Sequence, residues 1–315
     1  MKYNTFLEAA ENYLNYRRKM GFAIRIEGQE LLRFAKYADS ISHKEHITVE
    51  LAIQWAKLPQ KCSSIYWARR LDIVRRFAKY LKTIDAGTEV PPEGIFGPSY
   101  CRKTPHIYTE EQIASLLNAA RALTPLNGLR PNTYATLFGL LASTGIRISE
   151  ALNLKDHDVN LENNIIIIRE TKFHKSRIIP IHSTTSKALK YYVDKRNKAH
   201  ASSISNAFFL TEKATSLKYH KTLMTFLSIS YSLGWRSPKK RKGPRIHDLR
   251  HTFVVKRFLS WYRNGEDVNK QIYYLSTYLG HVKIADTYWY ITAIPELMAI
   301  ASSRFERFAG EVNNE

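Results

Sequence analysis

Apolar residues recur at helical spacing through residues 1–84. In "TFLEAAENYLNYRRKMG" they fall at Phe6, Ala9, Ala10, Tyr13, Leu14 and Tyr16, and Gly21 suits a helix end. Three further helical segments follow: "EGQELLRFAKYADS", "TVELAIQWAKL" and "SSIYWARRLDIVRRFAKYLKTI". In the last of these, Leu71, Val74, Phe77 and Leu81 form a core-facing stripe. Residues 1–84 therefore predict a helical bundle. The pattern then stops. Residues 85–107 contain four prolines and three glycines, a density that no regular element tolerates, and predict an extended linker between two domains.

From residue 108 the texture changes. "TEEQIASLLNAARAL" opens on Thr109 with acids in the first turn, the signature of a helix N-terminus. "PNTYATLFGLLAST" predicts a second helix, stopped by Gly145. "NNIIIIRETKFHKSRIIPI" breaks the helical period. Its two β-branched runs, Ile165–Ile168 and Ile178–Ile181, flank a polar basic turn and predict a β-hairpin. Pro180 makes the second strand an edge. Helices follow to the end. The expected fold class is mainly α with a small antiparallel β-sheet (α+β), with residues 108–315 as a second domain.

Charge sharpens the picture. The 315 residues carry 48 Lys+Arg against 28 Asp+Glu, a net charge of +20. The isoelectric point near 9.8 points to a polyanionic partner, most simply nucleic acid. Cys62 and Cys101 supply neither a disulfide framework nor a metal-ligand set, which suits a reducing cytoplasm. No apolar run approaches the ~20 residues of a membrane helix, and the N-terminus lacks a signal-peptide core. The expected localisation is cytoplasmic, with no membrane partner.

Four clusters in the second half carry candidate chemistry. In "TGIRISEALNL", Arg147 stands at a helix start, where anions are favoured, and Glu150 one turn on can hold its guanidinium. The hairpin tip "TKFHKSR" holds Lys172, His174, Lys175 and Arg177. "RIHDLRHTF" places His247 and Arg250 on one helical face, preceded by the basic loop Lys239, Lys240, Arg241 and Lys242. His251, four residues from His247, raises zinc. A third ligand is missing and Arg250 would oppose a cation, so no metal site is expected. The fourth cluster, "LGHVKIADTYWYITAIP", holds His281, Tyr288 and Tyr290. No Gly-rich phosphate loop of the form G-x-x-x-x-G-K-[ST] occurs. Arginines that can clamp a phosphodiester, a tyrosine that can attack it, and lysine or histidine to move protons suit phosphoryl transfer without a metal.

In order and spacing these motifs resemble the tyrosine recombinase (phage integrase) family over roughly residues 108–310. The N-terminal helices resemble the core-DNA-binding domain that precedes it. The resemblance implies catalytic arginines Arg147 and Arg250, a general-acid lysine Lys172, a proton-transfer histidine His247, a phosphate-binding histidine His281 and a supporting acid Glu150. The family's nucleophile stands nine residues past the "LGH" histidine, which is Tyr290. Two departures stand out. Bulky Tyr288 and Trp289 follow Asp286-Thr287, and Phe173-His174 occupies a turn where glycine is common, so Lys175 is a second candidate for the lysine role.

The implied function is site-specific recombination or integration for a mobile element, through a 3′-phosphotyrosyl intermediate and without cofactors. The implied partner is double-stranded DNA carrying a specific site. A homo-tetramer would act on two duplexes, with a monomer when free, and a C-terminal helix from Pro295 to Gly310 would dock on a neighbour. A type IB topoisomerase and a non-catalytic DNA-binding protein are the alternatives. For DNA contact the candidates are Arg69, Arg70, Arg75, Arg76, Lys175, Arg177 and Lys239–Lys242. Helical geometry over 284–292, at about 100° per residue, puts Ile284, Tyr288 and Ile291 on one apolar stripe. It predicts a core Tyr288 and a Tyr290 free to reach a phosphate.

Overall fold

The computed structural model describes residues 3–41, 46–169, 176–200, 205–237, 243–290 and Ser302. Lys172, Lys175, the basic loop Lys239–Lys242, Ile291 and the C-terminal helix from Pro295 lie outside the described residues. The chain divides into two compact units, Met1–Lys103 and Thr104–Glu315.

The first unit is a bundle of α1 (Phe6–Lys19), α2 (Arg25–Ser40), α3 (Val49–Lys57) and α4 (Ser64–Leu81). Side chains of Thr5 and Thr48 cap α1 and α3 by accepting from the amides of Glu8 and Leu51. The apolar stripes meet in one core, with Phe6, Leu14, Phe34, Trp55, Leu71, Val74, Phe77 and Leu81 all buried. Tyr16, assigned to the apolar face from sequence, is 50% exposed instead and stacks on Tyr80. The Pro/Gly-rich segment carries no helix or strand, and residues 85–103 belong to this unit. Glu89 accepts from the first amide of α3, Phe96 meets the Trp67 ring, and Glu93 pairs with Arg75. A carboxylate and an aromatic ring thus fasten the segment to the bundle between its prolines.

The second unit opens with α5 (Glu110–Arg121), closed by a capping box between Thr109 and Gln112, and α6 (Leu129–Thr144). Gly145 ends α6 at φ +63, and a Cβ there would lie 2.5 Å from the Phe253 ring. After α7 (Ile148–Asn153) comes a three-stranded antiparallel sheet of β1 (Val159–Asn160), β2 (Ile165–Ile168) and β3 (Arg177–Pro180). The expected hairpin is β2–β3, with Ile166 opposite Ile179. The short β1 was not anticipated. β3 is an edge, burying Ile179 while Ile178 faces out. Among the described residues the helices that follow are α8 (Ser183–Ala199), α9 (Tyr219–Ser232), α10 (Ile246–Asn264), α11 (Val268–Leu279) and α12 (Ala285–Tyr288).

Helix α10 organises the site. Ile246 and Leu249 belong to the large core around α6 and the sheet; Phe253, Val254, Val255, Phe258 and Leu259 belong to a second core with α11. Caught between two cores, α10 is buried on nearly all sides, so its polar residues Asp248, Arg250, His251 and Thr252 are buried with it. Each needs a partner. Thr252 donates to the Asp248 carbonyl and accepts from the Tyr108 amide, while the Tyr108 hydroxyl donates to the Arg245 carbonyl.

Candidate active site

The site forms where α11 ends. The last carbonyls of a helix lack intrahelical donors. Three consecutive ones, those of Tyr278, Leu279 and Gly280, accept from three arginines: Arg177 at 2.8 Å, Arg250 at 2.9 Å and Arg147 at 3.4 Å. The negative end of the helix dipole thus faces the guanidiniums. Gly280, at φ +68, makes the turn that brings His281 back toward them.

Arg147 is the N-cap residue of α7 and keeps its side chain partly exposed. Glu150 accepts from the Arg147 amide at 2.9 Å and from its guanidinium at 2.8 Å. The same carboxylate accepts twice from Arg177, at 3.1 and 2.8 Å. Burial pushes the Glu150 carboxyl up, but the Arg177 and Arg147 bonds outweigh it and hold it below the ordinary carboxylate range. Arg250 is 2% exposed and donates to the Gly145 carbonyl at 2.8 Å as well as to Leu279. Burial lowers its pKa, while the nearby Tyr290 hydroxyl acts to raise it.

Arg250 also lies 2.8 Å from His281 Nε2. A guanidinium can only donate, so Nε2 accepts and His281 is neutral. Its proton sits on Nδ1 and is given to Thr287 Oγ1 at 2.7 Å. Burial and then the charges of Arg250 and Arg147 push the His281 pKa down to about 3. His247 is pushed down to about 4 by the close packing around it and then by Arg250, although the residue stays exposed at the rim, where solvent moderates the effect.

Tyr290 is 7% exposed, stacked parallel on His281 at 5.9 Å and tilted against His251 at 4.7 Å. Tyr288 is 41% exposed. The apolar-stripe expectation for this segment is therefore reversed: Tyr288 faces solvent and Tyr290 is in the core. The inward face carries Thr287, fully buried, and Tyr290 three residues on, in place of the Ile284–Tyr288 stripe. The turn is mixed: Thr287 and Tyr290 bond three residues back at 2.8 and 3.1 Å, while Tyr288 and Trp289 bond four residues back at 3.2 Å each. Residues three apart share a face in either geometry.

The structure brings together Arg147, Glu150, His247, Arg250, His281 and Tyr290. Two residues that the sequence reading gave no part in the site join them, His251 having been weighed there only as a zinc ligand. Thr287 fixes the His281 tautomer, and its signal was only a small hydroxyl residue ahead of the tyrosines. His251 packs edge-on to His247 at 4.9 Å and carries a buried Nδ1 without a hydrogen-bond partner among the described residues. Among the described residues no group of three His, Cys, Asp or Glu could hold a metal.

The DNA-contact candidates divide. Arg69 and Arg76 are exposed. Arg70 is corrected: it is buried at 7%, pairs with Glu30 at 3.1 Å and stacks on Trp55 at 3.7 Å, so it holds the bundle together. Arg75 is half-buried between Asp72 and Glu93. Arg177 is corrected too, because Glu150 and the Tyr278 carbonyl take up its guanidinium.

Guanidiniums beside a tyrosine and neutral histidines, on a mostly helical domain with a three-stranded antiparallel sheet, suit transfer of a phosphodiester to the tyrosine oxygen. The model of the phage integrase family matches residues 107–296. A protein of Sinorhizobium fredii carrying the name integrase/recombinase y4rB is 38% identical over 309 residues, spanning 96% of this chain and 98% of its own. The tyrosine recombinase XerC of Chlamydia caviae is 28% identical over 222 residues, 70% of this chain and 64% of that one. Among solved structures, the Tn1549 transposon integrase in complex with transposon right end DNA matches with a TM-score of 0.69 at 16% identity, covering 97% of this chain and 99% of that one. XerH bound to a palindromic difH substrate matches at 0.62 and 18% identity, over 89% and 78% of the two chains. These two structures speak to the fold alone. The chain belongs to the phage integrase family.

Proposed function

We propose that this chain is a site-specific recombinase of a mobile element that breaks one DNA strand with Tyr290 and rejoins it to another duplex. One observation carries the assignment of residues: Arg147, Arg250, His281 and Tyr290 converge on the C-terminal end of α11. Arg147 and Arg250 clamp the non-bridging oxygens of the scissile phosphate, where preorganised charge is worth most. The Tyr290 oxygen bonds to phosphorus as the bond to the 5′-oxygen breaks. The phenolic proton passes to His247, which is neutral and able to accept it. Lys172 gives a proton to the departing 5′-oxygen. A 5′-hydroxyl of a partner strand then reverses the step. Bond number is conserved, so resealing needs no nucleotide hydrolysis. Reciprocal exchange cuts four strands, so four chains act on two duplexes.

A single-duplex topoisomerase shares the chemistry, but the relatives are named as recombinases and integrases. The test uses nicked duplexes of randomised core sequence, from which an SDS-resistant protein–DNA adduct is selected and its junction mapped. Wild type and Tyr288→Phe should form adduct, and Tyr290→Phe should form none. Adduct from Tyr290→Phe but not from Tyr288→Phe would transfer the role to Tyr288.

A further inference from the structure

We propose that Arg177 is a positioning residue for the reaction, holding Arg147 in the orientation that clamps the phosphate. This rests on the reading of Arg147 as a phosphate clamp.

The Arg177 Nε donates to the Tyr278 carbonyl at 2.8 Å, and its two Nη atoms donate to the two oxygens of Glu150 at 3.1 and 2.8 Å. Only 11% of the side chain is exposed. Both Glu150 oxygens are shared. One also takes the Arg147 guanidinium and the other the Arg147 amide. Glu150 is therefore a plate with Arg177 fixed on one edge and Arg147 on the other. A carboxylate gripped in a fork cannot rotate, so Arg147 inherits the orientation that Arg177 sets. Lysine offers a point charge rather than a fork and cannot reproduce this.

Arg177 is itself located by two elements. It opens β3, and its guanidinium lies under Gly280, where a Cβ would come within 2.8 Å of Nη1. The sheet, α7 and the end of α11 are thereby joined at one side chain. Among the described residues, the Arg147 guanidinium has one other hydrogen bond, at 3.4 Å to the Gly280 carbonyl. The aim of the first catalytic arginine thus depends on a residue whose guanidinium is committed to Glu150 and the Tyr278 carbonyl.

The test replaces the scissile phosphate, mapped by adduct selection, with a methylphosphonate. This removes the negative charge that Arg147 meets. Arg147→Ala and Arg177→Lys should each cleave the phosphate substrate about 10²-fold more slowly, the scale of misplacing a positioned group by an ångström. On the methylphosphonate both should recover to near the wild-type rate on that substrate. Glu150→Gln, which leaves Arg177 in place but loosens its grip, is read in parallel and should recover likewise; it also stands in if Arg177→Lys fails to fold. Recovery of Arg147→Ala without recovery of Arg177→Lys or Glu150→Gln would overturn the proposal and leave Arg147 as the clamp. Wild-type cleavage by Arg177→Lys on the phosphate would overturn it as well. Failure of Arg147→Ala to recover would remove the clamp reading, and this inference with it.

Discussion

Both units carry arginine-rich surfaces, and they treat arginine in opposite ways. On α4, Arg70 pairs with Glu30, Arg75 with Asp72 and Glu93, and Arg76 with Glu27 and Asp72. Around the end of α11, Arg147 and Arg177 share the one carboxylate of Glu150, and Arg250 has backbone carbonyls and an imidazole for partners. A guanidinium among carboxylates is already neutralised. One held by carbonyls is oriented but keeps its charge. The number of arginines in a segment therefore says little about phosphate binding; the acids that reach them from other elements decide.

The largest expected effect tests this contrast directly. Arg250→Ala should slow adduct formation by about 10²–10³-fold, the usual loss for one preorganised donor at a developing charge. Arg70→Ala should act through stability instead. It takes one of two arginine partners from Glu30, which keeps Arg33, and uncovers the Trp55 ring, at a cost of about 2 kcal/mol in urea unfolding. Wild-type cleavage by Arg250→Ala, or an unchanged unfolding midpoint for Arg70→Ala, would erase the distinction between the two regions.

That distinction was only half legible in the sequence. The four bundle helices and the hairpin could be read from period, and the set Arg147, Glu150, His247, Arg250, His281 and Tyr290 from short motifs and the family resemblance they carry. The fate of Arg70 could not, because Glu30 lies 40 residues away. Arg177 looked like a free base at a hairpin tip, since its partners Glu150 and Tyr278 come from two other elements. Tyr288 and Tyr290 were exchanged between core and surface because the stripe was drawn through Ile284 and Tyr288, whereas the inward face carries Thr287 and Tyr290. Thr287 had no legible role until its hydroxyl was seen against His281.

The second region should also respond to pH in a way the first does not. Burial first, and nearby positive charge after it, keeps the histidines around this site neutral. His251 is pushed down to about 3 by burial and then by His247. A histidine with a depressed folded pKa binds its proton in the unfolded chain first. Stability is therefore present above the ordinary value of about 6.5 and is lost as pH falls toward the folded value. Each such histidine contributes a slope of about 1.4 kcal/mol per pH unit between those limits. His251→Asn, compared with wild type by urea unfolding from pH 6.5 to 4.5, should flatten the slope by about that amount. An identical slope in both proteins would mean that His251 is protonated in the fold.

The smallest effect concerns the exposed part of α4. Among the described residues Arg69 donates to the Ser99 carbonyl alone, and Arg76 meets Glu27 and Asp72 at 3.3 and 3.4 Å with its side chain 42% exposed. Such exposed pairs are weak and yield readily to a phosphate. Each phosphate contact contributes about 0.9 to the slope of log binding constant against log salt, so Arg69→Ala with Arg76→Ala should shallow it by about 1.8. Arg75, clasped by Asp72 and Glu93, should leave the slope unchanged when replaced by glutamine. The measurement is fluorescence-polarisation binding to the selected duplex between about 50 and 200 mM salt. Equal shallowing by Arg75→Gln would mean that DNA strips the carboxylates from α4, and pairing in the free protein would no longer tell a phosphate-binding arginine from a structural one.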